Sequence, residues 1–119
     1  VNIAARLQEL TKQFGARIII SEHTRSAIMI DTRFDLRELG DVTVRGRREP
    51  VRLYEVLNAD APPLRAGKLA TLPTHLAALE KYRQGYYAQA AALWDQCLIA
   101  QPDDSVCRHL REQCGHAPV

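Results

Sequence analysis

Two stretches near the middle of the chain decide how it folds: Val42-Thr-Val-Arg45 and Val51-Arg-Leu-Tyr-Glu-Val-Leu57. Both alternate with period two, the repeat of a strand that buries one face. Gly46 to Pro50 between them reads as a hairpin loop, so the two pair antiparallel. Moving toward the N-terminus, Phe34 to Leu39 is another strand candidate, and Gly40-Asp41 turns the chain into Val42. Arg17-Ile-Ile-Ile20 is a short apolar run suited to a buried strand, and Ser21 is placed to cap a brief helix reaching about Ile30. Ile3, Leu7, Leu10 and Phe14 recur at helical spacing with Gly15 as a stop, which gives an amphipathic helix over residues 2–14. The order α-β-α-β-β-β is α+β with a largely antiparallel sheet.

Past Asn58 the pattern changes. Residues 59–73 hold three prolines and a glycine that break every period, the composition of a linker. Residues 74–119 are helical only, with helices expected over His75 to Gln84, Tyr87 to Ala100 and Ser105 to Cys114. Gly85 separates the first two and Pro102 ends the second, so they form an antiparallel hairpin.

The 119 residues are 46% hydrophobic, 25% charged and 6% aromatic, which excludes collagen-like, wholly disordered and coiled-coil-only classes. Sixteen Lys and Arg against fourteen Asp and Glu leave +2, too little to imply a nucleic-acid or acidic-membrane partner. No apolar run approaches the roughly 18 residues that span a bilayer, and no signal-peptide core opens the sequence. A soluble, cytoplasmic chain is expected, with the whole protein free to be membrane-anchored. Opening on Val1 directly into a patterned helix suits a fragment of something longer. Cys97, Cys107 and Cys114 are a poor disulfide framework, because an odd count at these spacings fits a reducing compartment better. A zinc site on His109, Cys114 and His116 lacks any C-x-x-C or H-x₃₋₅-H pair, so no metal site is assigned. No Ser-His-Asp or Cys-His arrangement emerges either.

Two sets of donors stand out. Asn2 and Arg6 lie one turn apart on the first helix, on a face that continues through Glu9 and Gln13. That face is either a solvated polar surface or an anion site. An arginine in a first helical turn opposes the macrodipole, costing a few tenths of a kcal/mol unless something negative is bound nearby. An amide beside a guanidinium fork also suits a phosphate or ribose oxygen. The second set is Arg45, Arg47, Arg48 and Arg52, offset locally by Glu49 and Glu55 alone. It is either a polyanion-binding cluster or a charged edge that discourages strand pairing.

Val1-Asn-Ile-Ala-Ala-Arg-Leu7 with Leu10-Thr-Lys-Gln-Phe-Gly15 resembles the late helix of class III nucleotidyl cyclase catalytic domains. Ile18-Ile-Ile-Ser-Glu22, Leu39-Gly-Asp-Val-Thr-Val-Arg-Gly-Arg47 and Glu49-Pro-Val-Arg-Leu-Tyr-Glu-Val56 look like the same family. The resemblance covers residues 1–57 in register and implies the C-terminal portion of a ferredoxin-like cyclase domain over residues 1–58. It also implies cyclisation of a nucleoside triphosphate to a 3′,5′-cyclic nucleotide and pyrophosphate with a pair of divalent metals, Mg²⁺ or Mn²⁺. In that family the position of Asn2 orients the ribose, that of Arg6 stabilises charge on the transferred phosphoryl group, and that of Arg45 binds the terminal phosphates. A lysine is usual at the last position; the arginine here keeps the charge and changes its geometry to a fork.

The family's metal-binding aspartates and base-selecting residues belong to segments absent from this chain. Asp31, Asp35 and Asp41 lie in the wrong places to replace them and are assigned to turns and solvent. Adenylate rather than guanylate cyclisation is favoured only as the commoner bacterial case, with ATP as substrate. Ala78, Tyr82, Gly85, Tyr87, Ala90, Trp94, Cys97 and Pro102 are spaced similarly to one tetratricopeptide repeat, with Ser105 to Cys114 as a capping helix. A plain helical hairpin fits the same residues. Cyclases of the resembled family pair two catalytic domains, so a homodimer is expected. Two readings of function follow: a cyclase segment that carries transition-state donors without the metal site, or a non-catalytic assembly module with a degenerate cyclase remnant.

Overall fold

A computed structural model describes residues 3–28, 34–43 and 48–116. The chain divides into two compact units, Val1–Asp60 and Ala61–Val119. It is α+β, as the sequence indicates.

In the first unit, α1 (Ile3–Phe14) leads to β1 (Ile19–Ser21), α2 (Glu22–Ile28), β2 (Leu36–Val42) and β3 (Val51–Val56), and a 3₁₀ turn follows over Leu57–Ala59. Helix α1 buries Leu10 and Phe14. It stops where expected, at Gly15, whose φ of 72° lets its own N–H and that of Ala16 both close on the Thr11 carbonyl. Ser21 ends β1 and caps α2, its hydroxyl accepting the Thr24 N–H at 3.4 Å.

The sheet has the order β1-β3-β2, with both neighbours antiparallel to the central β3. Ile20 faces Tyr54 on one side, and Arg37 faces Glu55 on the other. One expectation is corrected here. Gly40-Asp41 does not turn the chain between two strands, because β2 runs unbroken from Leu36 to Val42. The register steps from Glu38↔Tyr54 to Gly40↔Leu53, so Leu39 is an extra residue in a bulge. Gly40 takes a φ of 100°, open to glycine at little cost, and that is why the bulge sits there. Among the described residues the order is therefore α-β-α-β-β; Val44 and Arg45, expected in a further strand, lie outside them. The expected hairpin closes with Val42 opposite Val51. Leu10, Leu39, Leu53 and Leu57 are the most deeply buried apolar residues of this unit.

In the second unit, α3 (Pro62–Ala70), α4 (Leu72–Arg83), α5 (Tyr87–Ala100) and α6 (Ser105–His116) follow in order. The stretch read as a linker is thus largely helix. Its prolines stand at the first positions of α3, where the missing N–H has no partner to lose. Pro73 does the same for α4, which starts at Leu72 rather than His75. Helix α3 is integral to this unit: Lys68 is buried, and Gly67 lies so close to Gln101 that an added methyl would sit 2.0 Å from its side-chain oxygen. Helices α4 and α5 form the expected hairpin with α6 packed on α5. Ala78 and Ala90 are fully buried, which allows the helices to approach closely around Trp94 and Cys97. Tyr82 packs edge-on to Tyr87 at 5.0 Å and tilted to Trp94 at 6.1 Å.

Candidate functional site

Arg6 projects from α1 with its side chain 35% exposed. Its Nη1 donates to Glu9 Oε2 at 3.2 Å, so the negative partner that the helix dipole calls for comes from the next turn of the same helix. Asn2 and Arg45 lie outside the described residues, as does Arg47. Of the candidate site residues, Arg6 is the one that the described structure places.

The rest of the arginine cluster is resolved at its edges. Arg52, on β3, donates from Nε to Asp41 Oδ1 at 3.1 Å and lies 3.7 Å from Glu38 Oε2. Its pKa is raised, first through the hydrogen bond it donates to Asp41 and then through that carboxylate's charge. Two expectations from the sequence are corrected here. Asp41 is a β2 residue that holds Arg52, not a turn residue facing solvent alone. Glu55 does not offset the hairpin arginines, because it is fully buried against Arg37, with Nη2 2.6 Å from Oε1. Arg48 is exposed and has no hydrogen bond or ion pair among the described residues.

Between the start of α2 and the hairpin lies an open cleft of about 960 Å³, lined by Glu22, His23, Thr24, Arg48 and Arg52 among others. Glu22, one of the lining residues, belongs to a polar chain. Tyr54 Oη donates to Glu22 Oε2 at 2.6 Å, Arg25 lies 3.6 Å from Glu22, and the Arg25 guanidinium stacks over the Tyr54 ring at 4.9 Å. Burial raises the Tyr54 pKa first, and the Glu22 hydrogen bond and charge add to it. The phenol is therefore a neutral donor. The cleft sets Arg48 and Arg52 against Glu22, Asp41 and Glu49, so its lining carries no excess of positive charge. Sequence reasoning missed the Tyr54–Glu22–Arg25 chain. The period of β3 puts Tyr54 on the face opposite Glu55, but no local spacing ties it to a helix 32 residues earlier.

Among the described residues no cluster of three or more His, Cys, Asp or Glu could hold a metal ion. His75, read as a helix-start residue, is fully buried and accepts the Trp94 indole N–H at 3.1 Å. Cys114 is part-buried, and burial raises its pKa above the ordinary thiol value. No helix is long and apolar enough to cross a membrane among the described residues.

No protein-family profile matches the chain, and no solved structure matches it. It is 33% identical over 106 residues, 87% of its length, to "Adenylate cyclase, terminal-differentiation specific" of Dictyostelium discoideum. It is 39% identical over 57 residues, 47% of its length, to "Adenylate cyclase" of Anabaena cylindrica. The chain spans about 5% of the first relative and 11% of the second. An alignment of 106 residues exceeds either unit alone, so the likeness to the Dictyostelium protein enters the helical unit as well as the sheet unit. The chain is related to a region of adenylate cyclases.

Proposed function

We propose that the chain is a segment of a class III adenylate cyclase, working within a larger polypeptide that converts ATP to 3′,5′-cyclic AMP and pyrophosphate. The observation that carries this reading is the relation to two cyclases combined with Arg6, a half-exposed guanidinium on the flank of α1 with open donors. In this reading Arg6 stabilises charge developing on the transferred phosphoryl group, Asn2 orients the ribose, and Arg45 binds the terminal phosphates. Preorganised donors of this kind act on a transition state whose charge spreads over phosphoryl oxygens. The divalent metals would be held by residues of other segments. The described residues offer no ligand set for them, so no step is derived through a metal.

The helical unit, a single tetratricopeptide-like hairpin with α6 as its cap, has an assembly role in this reading, supporting a homodimer. Its inclusion in the likeness to the Dictyostelium protein favours a part of the cyclase over an unrelated fusion. The alternative, an assembly module with a degenerate cyclase remnant, predicts that Arg6 is dispensable. The two separate on Arg6→Ala in the complete polypeptide, assayed with ATP and Mg²⁺ or Mn²⁺. Loss of one such donor lowers kcat by about 10²–10³-fold with a much smaller change in KM. Unchanged turnover would sink the cyclase reading of this helix. A pure KM effect would leave Arg6 as a ground-state phosphate ligand.

A further inference from the structure

Glu9 is the partner that the structure gives to Arg6, and the pair offsets the dipole at Arg6 without adding much to the helix. An arginine N-terminal to a glutamate is the weaker order for an ion pair on a helix. Both residues are also partly solvated, with side chains 35% and 67% exposed, so the pair is worth little as stabilisation. Its geometry is more informative. Glu9 takes one terminal nitrogen, Nη1, at 3.2 Å. A guanidinium carries five N–H donors in a fixed plane, so a contact at one nitrogen narrows the directions open to the others. Nη2 and Nε have no partner among the described residues and remain available to a ligand's oxygens.

We infer that Glu9 is a positioning residue for Arg6, holding the guanidinium by one nitrogen so that the rest of the fork is aimed before substrate arrives. The inference rests on the reading of Arg6 as a transition-state donor. Reactivity depends steeply on the orientation of such donors, and a fork that must first find its direction loses part of its effect. The carboxylate also repels an approaching phosphate, so removing it does not weaken substrate binding. Glu9 therefore acts on kcat and not by lowering KM.

The test has two readouts. In the complete cyclase polypeptide, Glu9→Ala lowers kcat about two- to five-fold without raising KM, the range expected for an exposed pair. Glu9→Gln keeps an acceptor oxygen at the same reach and recovers part of that loss. In the 119-residue chain, arginine side-chain NMR shows distinct Arg6 Nη signals that average together in Glu9→Ala as the guanidinium rotates freely. Unchanged kcat in Glu9→Ala, while Arg6→Ala is inactive, overturns the inference and leaves the role of Arg6 standing. A raised KM, a Glu9→Gln variant no better than Glu9→Ala, or Arg6 signals indifferent to Glu9 also overturn it. Full turnover by Arg6→Ala removes both readings together.

Discussion

Arg37 and Glu55 are direct register partners on β2 and β3, both fully buried, and the Arg37 guanidinium places Nε at 3.0 Å and Nη2 at 2.6 Å from one Glu55 oxygen. A carboxylate and a guanidinium in the middle of a small core cost several kcal/mol each to desolvate, and their attraction offsets this only while both are present. Glu55→Ala is therefore expected to destabilise the chain by about 3–5 kcal/mol, since it leaves Arg37 buried without this counter-charge. Replacing both, Arg37→Met with Glu55→Leu, is expected to be near neutral or stabilising by about 1–4 kcal/mol. Urea denaturation of the single and double variants measures this. If the double variant costs as much as the two singles added, the pair is not coupled.

Tyr54 contributes a dependence at alkaline pH. Burial first, then the hydrogen bond to Glu22 and its charge, raise its pKa above the ordinary 10.0, so the folded chain keeps the phenol neutral where the unfolded chain ionises it. The unfolded state then binds fewer protons than the folded state, and stability falls as pH rises. The contribution is complete below pH 10 and is lost as pH climbs through the folded-state value. Thermal melts between pH 8 and 11 should show this fall, and Tyr54→Phe should flatten it. An equal slope in both proteins would show that the phenol does not titrate with folding.

His109, on α6, gives the opposite sign. Burial lowers its pKa below 6.5, and Glu112 offsets part of that shift. Below pH 6.5 the unfolded chain takes up a proton that the folded chain still resists, so stability falls as pH falls. The contribution is complete above pH 6.5 and is lost through the folded-state value. His109→Gln should remove this part of the acid slope, followed by helical circular dichroism during urea melts from pH 7.5 to 5. A slope retained in the variant would assign acid sensitivity to other groups.

These groups show which parts of the molecule could be read before the fold was known. Helices α1, α5 and α6 were legible because their apolar residues recur at helical spacing between clear stops such as Gly15 and Pro102. Helix α3 was not, because Pro62, Pro63 and Gly67 count as breakers unless one knows that the prolines open a helix and that Gly67 faces Gln101. Gly40 had the signature of a turn, and only cross-strand register distinguishes a turn from a bulge. Charge pairing was the least legible layer. Asp41 with Arg52, and Glu55 with Arg37, are cross-strand contacts that no local spacing specifies. Arg6 was legible as a donor because its position on a helical face follows from periodicity alone, and Glu9 lay on that same face.

Trp94 and His75 offer the sharpest test of the helical core. An indole N–H can only donate, so the 3.1 Å contact requires a lone pair on His75 Nδ1 and fixes the imidazole as neutral in that tautomer. Both residues are fully buried, and the Cys107 sulfur lies 3.9 Å from the same nitrogen. Trp94→Phe keeps an aromatic ring but removes the donor, at a cost of about 1–3 kcal/mol for the hydrogen bond plus a packing loss from the smaller ring. His75→Leu removes the acceptor. If the contact carries energy, the double variant is less destabilised than the sum of the singles by about 0.5–3 kcal/mol, the range for residues in one buried network. Circular dichroism must follow the urea melts, because Trp94 is the only tryptophan and its fluorescence vanishes with it. A coupling near zero would mean that shape alone holds α4 against α5, with the hydrogen bond replaceable by apolar packing.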